Sequence, residues 1–237
     1  MKRTTVCIVL LVLTFSAVAG EVSRGGGNCQ ELVAFVRPSL GEDGEDGERY
    51  LENADKAYRD CRSAKVPLEI RAKVLFKYGI ASASRERVQA ALDALREAIG
   101  LLDIATGDHT ELLIEVLDYT ASVESRGGMQ TDAIAHSKMA ADMRVERYGP
   151  NSAEAADGLT NLAAAYATFK EYEKAEALLR DAIQTAKQAC GPECYALVKA
   201  YSGMEVIFSE QGNLAEATKY AELAQNAVPP SRSKRKH

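Results

Sequence analysis

Between Ala64 and Val228 apolar residues follow helical rather than alternating spacing, and β-branched alternation bounded by Asn-Gly turns is nearly absent. This pattern predicts an all-helical chain. The helical runs are interrupted at Pro67, Gly107-Asp108, Gly127-Gly128, Gly149-Pro150, Gly191-Pro192 and Gly212-Asn213, which mark helix-hairpin boundaries. Asn151 or Ser152 ahead of Glu154, and Asp108 ahead of Glu111, place acceptors or acids near first-turn amides, as helix starts require.

The interruptions are periodic. Gly107, Gly149 and Gly191 are each 42 residues apart; the same step links Ala91, Ala133, Ala175 and Ala217, and again Ala98, Ala140, Ala182 and Ala224. Two alanine columns seven residues apart put small residues on one helical face in four successive copies, where a neighbouring helix can approach closely. The predicted copies are residues 65–106, 107–148, 149–190 and 191–228.

The third copy carries Leu159-x-x-Leu162-Ala163-x-x-Tyr166 followed by Ala175, Leu179 and Ala182. This resembles the tetratricopeptide repeat. The 42-residue period, with Gly-Pro or Gly-Asp opening the later copies, is similar to the longer-helix form of kinesin light chains. The first copy keeps Leu75, Tyr78, Gly79, Ala91, Leu95 and Ala98. The fourth keeps Tyr201, Met204, Phe208, Ala217 and Ala224, with Glu205 at a position usually small, and the second departs most, placing Thr120, Glu124 and Ser137 where the pattern is apolar. The resemblance implies a right-handed α-solenoid of antiparallel helix pairs, A and B, whose A helices line a groove for a peptide or protein segment.

Carried over position by position, the resemblance implies groove residues Lys73, Phe76 and Ile80 in the first copy and Glu115, Asp118, Ser122 and Arg126 in the second. The third and fourth copies supply Asp157, Thr160, Ala164 and Thr168, then Lys199, Ser202, Val206 and Glu210. Glu115 and Asp118 stand three apart on one helix and Asp157 lies one repeat on from Glu115, so the sequence predicts three carboxylates facing one cavity, with Phe76 and Ile80 as an apolar anchor. Such a cluster would read a basic or amino-terminal group.

The ends alter this picture. Lys2 and Arg3, the apolar run Val6 to Leu13 and Ala17-Val18-Ala19 form a signal peptide over residues 1–19, so the chain is expected to be exported, to the periplasm or, alternatively, outside the cell. Residues 20–64 are expected to form a capping hairpin, Cys29 to Val36 and Glu48 to Arg62, joined through an acidic loop from Gly41 to Gly47. That loop lacks the spaced ligands of a calcium loop. Residues 229–237, rich in Pro, Lys and Arg, read as a disordered basic tail. The formal charge of −5 becomes −7 without Lys2 and Arg3, and −11 without the four tail charges, which disfavours nucleic acid as a partner. No segment after the leader reaches the roughly 20 apolar residues of a membrane span.

Export leaves Cys29, Cys61, Cys190 and Cys194, an even number suited to disulfides. Four cysteines allow three pairings; helix-hairpin and tight-turn geometry favour Cys29 with Cys61 and Cys190 with Cys194, a metal or redox role for Cys190-Gly-Pro-Glu-Cys194 being the rival. His109, His136 and His237 are not paired by spacing, and no motif for a zinc hydrolase, nucleophile elbow or phosphate loop occurs. The expected function is therefore a non-catalytic interaction module with no cofactor or metal. Self-assembly through the open C-terminal end, as a structural component, is the alternative.

Overall fold

The computed structural model describes residues 45–61 and 66–228. The expected signal peptide, Cys29 with its helix, the start of the acidic loop and the basic tail lie outside the described residues. Among the described residues there are nine helices and no strand, in the order α1 Glu45–Asp60, α2 Leu68–Ala83, α3 Val88–Ile104, α4 Thr110–Arg126, α5 Gln130–Tyr148, α6 Ala153–Thr168, α7 Tyr172–Cys190, α8 Tyr195–Glu210 and α9 Leu214–Asn226. They form two compact units dividing between His109 and Thr110.

In the first unit α2 and α3 form the first repeat's antiparallel pair, and α1 packs on α2. Ala57 and Cys61 are buried with Val66 and Val74, and Tyr58 stacks on Tyr78 with ring centroids 4.8 Å apart. α1 and α2 thus share one core. In the second unit the pairs are α4–α5, α6–α7 and α8–α9, with α6 packed on α5 and α4, and α8 on α7 and α6.

Both alanine columns face inward in every copy: Ala91, Ala133, Ala175, Ala98, Ala140 and Ala182 are fully buried, and Ala217 and Ala224 nearly so. Backbone approach at such positions is tight. A Cβ on Gly158 of α6 would lie 2.9 Å from the Cα of Ala141 on α5, and one on Gly79 of α2 would lie 2.8 Å from Leu95 Cγ on α3. Larger side chains fill the layers between: Leu179, Met204 and Ile207 are buried with Ala163, Ala175, Ala182 and Ala200 where α6, α7 and α8 meet.

The turns explain the period. Within each pair, the residue joining A to B is left-handed at the same column: Glu86 at φ 57°, Gly128 at 75°, Lys170 at 61° and Gly212 at 77°. Each A helix ends in the same pair of backbone hydrogen bonds, as in Gly128 N–H to Ser125 O at 3.1 Å and Met129 N–H to Glu124 O at 2.9 Å, and again Lys170 N–H to Ala167 O at 2.9 Å and Glu171 N–H to Tyr166 O at 3.1 Å. This closes the helix on its own last carbonyls. Sequence reading recognises the column only where glycine fills it. Between repeats, Gly149 and Gly191 cap α5 and α7 at φ 89° and 77°, and Ser152 Oγ accepts the Ala155 amide at 3.0 Å to start α6.

Left-handed geometry costs a side-chain-bearing residue about 1–2 kcal/mol, against about 0.5–1 kcal/mol for the extra freedom glycine loses. Glu86→Gly is therefore expected to stabilise the chain by about 0.5–1 kcal/mol in urea denaturation. A lower midpoint would show that the Glu86 side chain contributes more than its backbone strain costs.

Candidate functional site

The A helices α4, α6 and α8 of the second unit line a groove with two adjoining cavities. The larger, of about 520 Å³, lies between α6 and α8 over Leu179 and Ile207. Its walls include Thr160, Ala164 and Thr168 from α6, and Lys199, Ser202, Val206 and Glu210 from α8. The smaller, of about 320 Å³, lies between α4 and α6 and includes Asp118, Ser122 and Arg126 with Ala164 and Thr168. The two cavities adjoin, with Ala164 and Thr168 in the walls of both. Both fall in the size range in which small ligands or single side chains are enclosed.

The structure therefore gathers ten of the predicted groove positions into one surface. Val206, 56% exposed, offers an apolar wall to solvent. Thr160 is nearly buried, its hydroxyl donating to the Ala156 carbonyl at 2.9 Å, so it contributes its methyl side rather than a free hydrogen bond. Lys73, Phe76 and Ile80 sit half-buried on α2 in the first unit, with Lys73 ion-paired to Glu69. The hydrogen bond and charge of Lys73, with a further contribution from His109, hold the Glu69 carboxyl below its ordinary range despite the opposing effect of burial.

The carboxylate cluster is arranged otherwise than expected. Asp118 Oδ2 accepts from Arg144 Nη2 of α5 at 2.5 Å and from Asn161 Nδ2 of α6 at 3.0 Å, joining three helices. Asp157 pairs with Lys199 of α8 at 2.9 Å, and Glu115 is exposed and lines neither cavity. A half-buried carboxylate without a cation beside it is costly, so Asp118 takes an internal partner instead of converging on its neighbours. Asp118, through Asn161, and Asp157, through Lys199, link successive repeats.

The second copy's irregular positions also become intelligible. Thr120 and Glu124 have no exposed surface; Thr120 Oγ1 donates to the Val116 carbonyl at 2.6 Å, and Glu124 Oε2 meets His136 Nδ1 of α5 at 2.7 Å. Sequence spacing leaves His136 unpaired because its partner comes from the other helix of the pair. Tyr119 on α4 is affected by the same crowding: burial pushes its phenol above the ordinary value, and Arg126 pulls it back in part.

Cys190 and Cys194 are joined across the turn between α7 and α8, with Cα atoms 5.9 Å apart, and Cys194 is buried beside Leu197 and Tyr201. Cys61 is also disulfide-bonded, while Cys29 lies outside the described residues. Among the described residues no group of three or more His, Cys, Asp or Glu is placed to hold a metal, and no helix is long and apolar enough to cross a membrane.

Two outcomes test this site. His136→Ala removes a partner from a fully buried carboxylate and is expected to cost about 1–3 kcal/mol in urea denaturation; an unchanged midpoint would mean that the pair adds nothing. A phenol pKa raised in the folded state means that the associated stability is present below the ordinary tyrosine value of 10.0 and lost as pH rises past it. Tyr119→Phe is therefore expected to flatten the alkaline decline in stability, with no change in pH dependence near neutrality.

The tetratricopeptide repeat family profile matches residues 154–228. No curated protein sequence matches the chain. Among solved structures, a Podosopora anserina kinesin light chain with nearly identical TPR-like repeats is similar at 12% identity and TM-score 0.67, covering 88% of this chain and 98% of that one. BtubC (BKLC) from P. vanneervenii is similar at 18% identity and TM-score 0.56, over 84% of this chain and 73% of that one. MamA from Desulfovibrio magneticus RS-1, from residue 41 to its end, is similar at 14% identity and TM-score 0.52, over 90% and 100% of the two chains. At these identities the likeness is one of fold, and the chain has the tetratricopeptide-like helix-pair fold of these proteins.

Proposed function

We propose that this chain is a non-catalytic interaction module that holds an extended segment of a protein partner along the groove formed by α4, α6 and α8. The observation that carries this reading is the adjacency of the two cavities, which share Ala164 and Thr168. A trough of two adjoining cavities with an exposed apolar wall at Val206 suits a polypeptide better than a compact small molecule. The repeat match over residues 154–228 supports a scaffold of this kind.

The basic, apolar and small-residue order of residues 1–19 supports export through a cleavable signal, with the periplasm as the destination proposed here. An oxidising compartment is consistent with the two disulfides proposed, Cys29 with Cys61 and Cys190 with Cys194. A non-reduced digest of the exported protein is expected to yield a Cys190–Cys194 crosslinked peptide; a Cys61–Cys190 crosslink would overturn that assignment.

Capture from an envelope extract tests the groove. The mature chain is expected to retain a partner that Val206→Glu and Ala164→Glu variants lose by roughly tenfold or more, since each puts a charge into the apolar wall. Circular dichroism checks that the helices persist. Equal capture by the variants would overturn groove binding. Self-association through the last repeat is a second reading, favoured by Leu214 at 68% and Val228 at 48% exposure; a concentration-independent monomer in sedimentation velocity would remove it.

A further inference from the structure

The two cavities of the groove are one site repeated. Each residue lining the smaller cavity, advanced by one 42-residue period, becomes a residue lining the larger. The register is kept, but the chemistry is not: Ser122 becomes Ala164, Ser125 becomes Ala167, Ser137 becomes Leu179 and Asn161 becomes Gly203. One step of the groove is floored by hydroxyls and an amide, and the next by hydrocarbon.

The floor residues vary as a pair. Leu179 is held so close to α8 that a Cβ on Gly203 would lie 2.8 Å from its Cδ2, so the two positions pack directly against each other. One repeat earlier the pair is Ser137 and Asn161, a small residue that leaves room for a larger one. Ser137 is only 3% exposed and lines the smaller cavity. Asn161 directs its amide N–H toward the Asp118 carboxylate, which can only accept, and this leaves the Asn161 carbonyl oxygen as an acceptor. The Asp118 charge is already matched by Arg144, and the Arg126 guanidinium is engaged by the Tyr119 hydroxyl.

We propose that the smaller cavity is a specificity subsite for a carboxamide side chain, Asn or Gln, of a segment whose branched aliphatic side chain fills the larger cavity. This rests on the groove-binding reading above. A carboxamide supplies an N–H donor to the Asn161 oxygen and a carbonyl to the Ser137 hydroxyl, and it brings no charge into a pocket whose own carboxylate is neutralised. Burial without such partners would be unfavourable for it elsewhere in the groove. The spacing follows from geometry. Packed helices lie about 8–10 Å apart, and a polyproline II segment advances about 3.1 Å per residue and returns its side chains to one face every third residue, so the carboxamide and the aliphatic residue stand about three positions apart.

Panning a displayed library of random linear peptides against the mature chain tests this. Enriched peptides are expected to carry Asn or Gln three positions from Leu or Ile, with exchange of the carboxamide for Glu or Leu weakening the synthetic peptide. Ser137→Ala should weaken it by about two- to tenfold, the loss of one neutral hydrogen bond. The Ser137→Leu, Asn161→Gly double variant rebuilds the pair of the larger cavity and should replace the carboxamide preference with an aliphatic one. Peptides that depend on Val206 yet show no carboxamide preference, or keep it on the double variant, would overturn the subsite while leaving groove binding intact. If no Val206-dependent peptide is enriched, both readings fall. Should the double variant lose its helicity, Ser137→Ala carries the test, and unchanged affinity there would overturn the subsite.

Discussion

Close approach of helix backbones at small side chains is the constraint on which the other features depend. The two alanine columns of α3, α5, α7 and α9 bring each B helix against its neighbours with almost no intervening side chain. Dispersion is weak per contact and large in sum, and it falls off quickly with separation, so a stack held this way tolerates no bulk at those columns. The period is preserved there because the packing has to be repeated, whereas positions facing the groove are released from it.

That release is what makes the groove chemically uneven. Leu95 and Leu179 occupy one column in the first and third copies and are fully buried, and Ser137 takes the same column in the second. A serine there gives up apolar burial and leaves space that helix packing does not require to be filled. The second copy offsets part of this loss with polar contacts internal to the unit, through Thr120 to its own helix, Glu124 to His136 and Asp118 to Arg144 and Asn161. The repeat that looks least regular in sequence is therefore folded like its neighbours and carries the most polar stretch of the groove.

Much of the architecture was legible before any coordinates. Gly107, Gly149 and Gly191 announced the repeat boundaries because a left-handed turn at those points favours glycine, and all three adopt positive φ. The turn inside each pair was half legible: Gly128 and Gly212 show it, but Glu86 and Lys170 adopt the same geometry without advertising it, since tertiary packing fixes the turn whichever residue occupies it. Part of the groove list was legible as positions, and none of it as partners. Ser122, Ala164 and Val206 line the cavities as their register implies, while the fates of Asp118 and Asp157 depend on Arg144 and Lys199 from other helices.

The sequence by itself determined the helical class, the 42-residue step, the inward alanine columns and the register of the groove, because each is written in spacing along one chain and needs no knowledge of what lies opposite. Only the tertiary structure decided that the expected acidic carboxylates do not converge, Asp118 pairing with Arg144, Asp157 with Lys199 and Glu115 facing solvent, that His136 serves a buried carboxylate, and that Ser137 lines a cavity beside Asn161. These depend on which side chains two different helices bring within hydrogen-bonding distance, and pairing across helices is set by the packing of the whole unit.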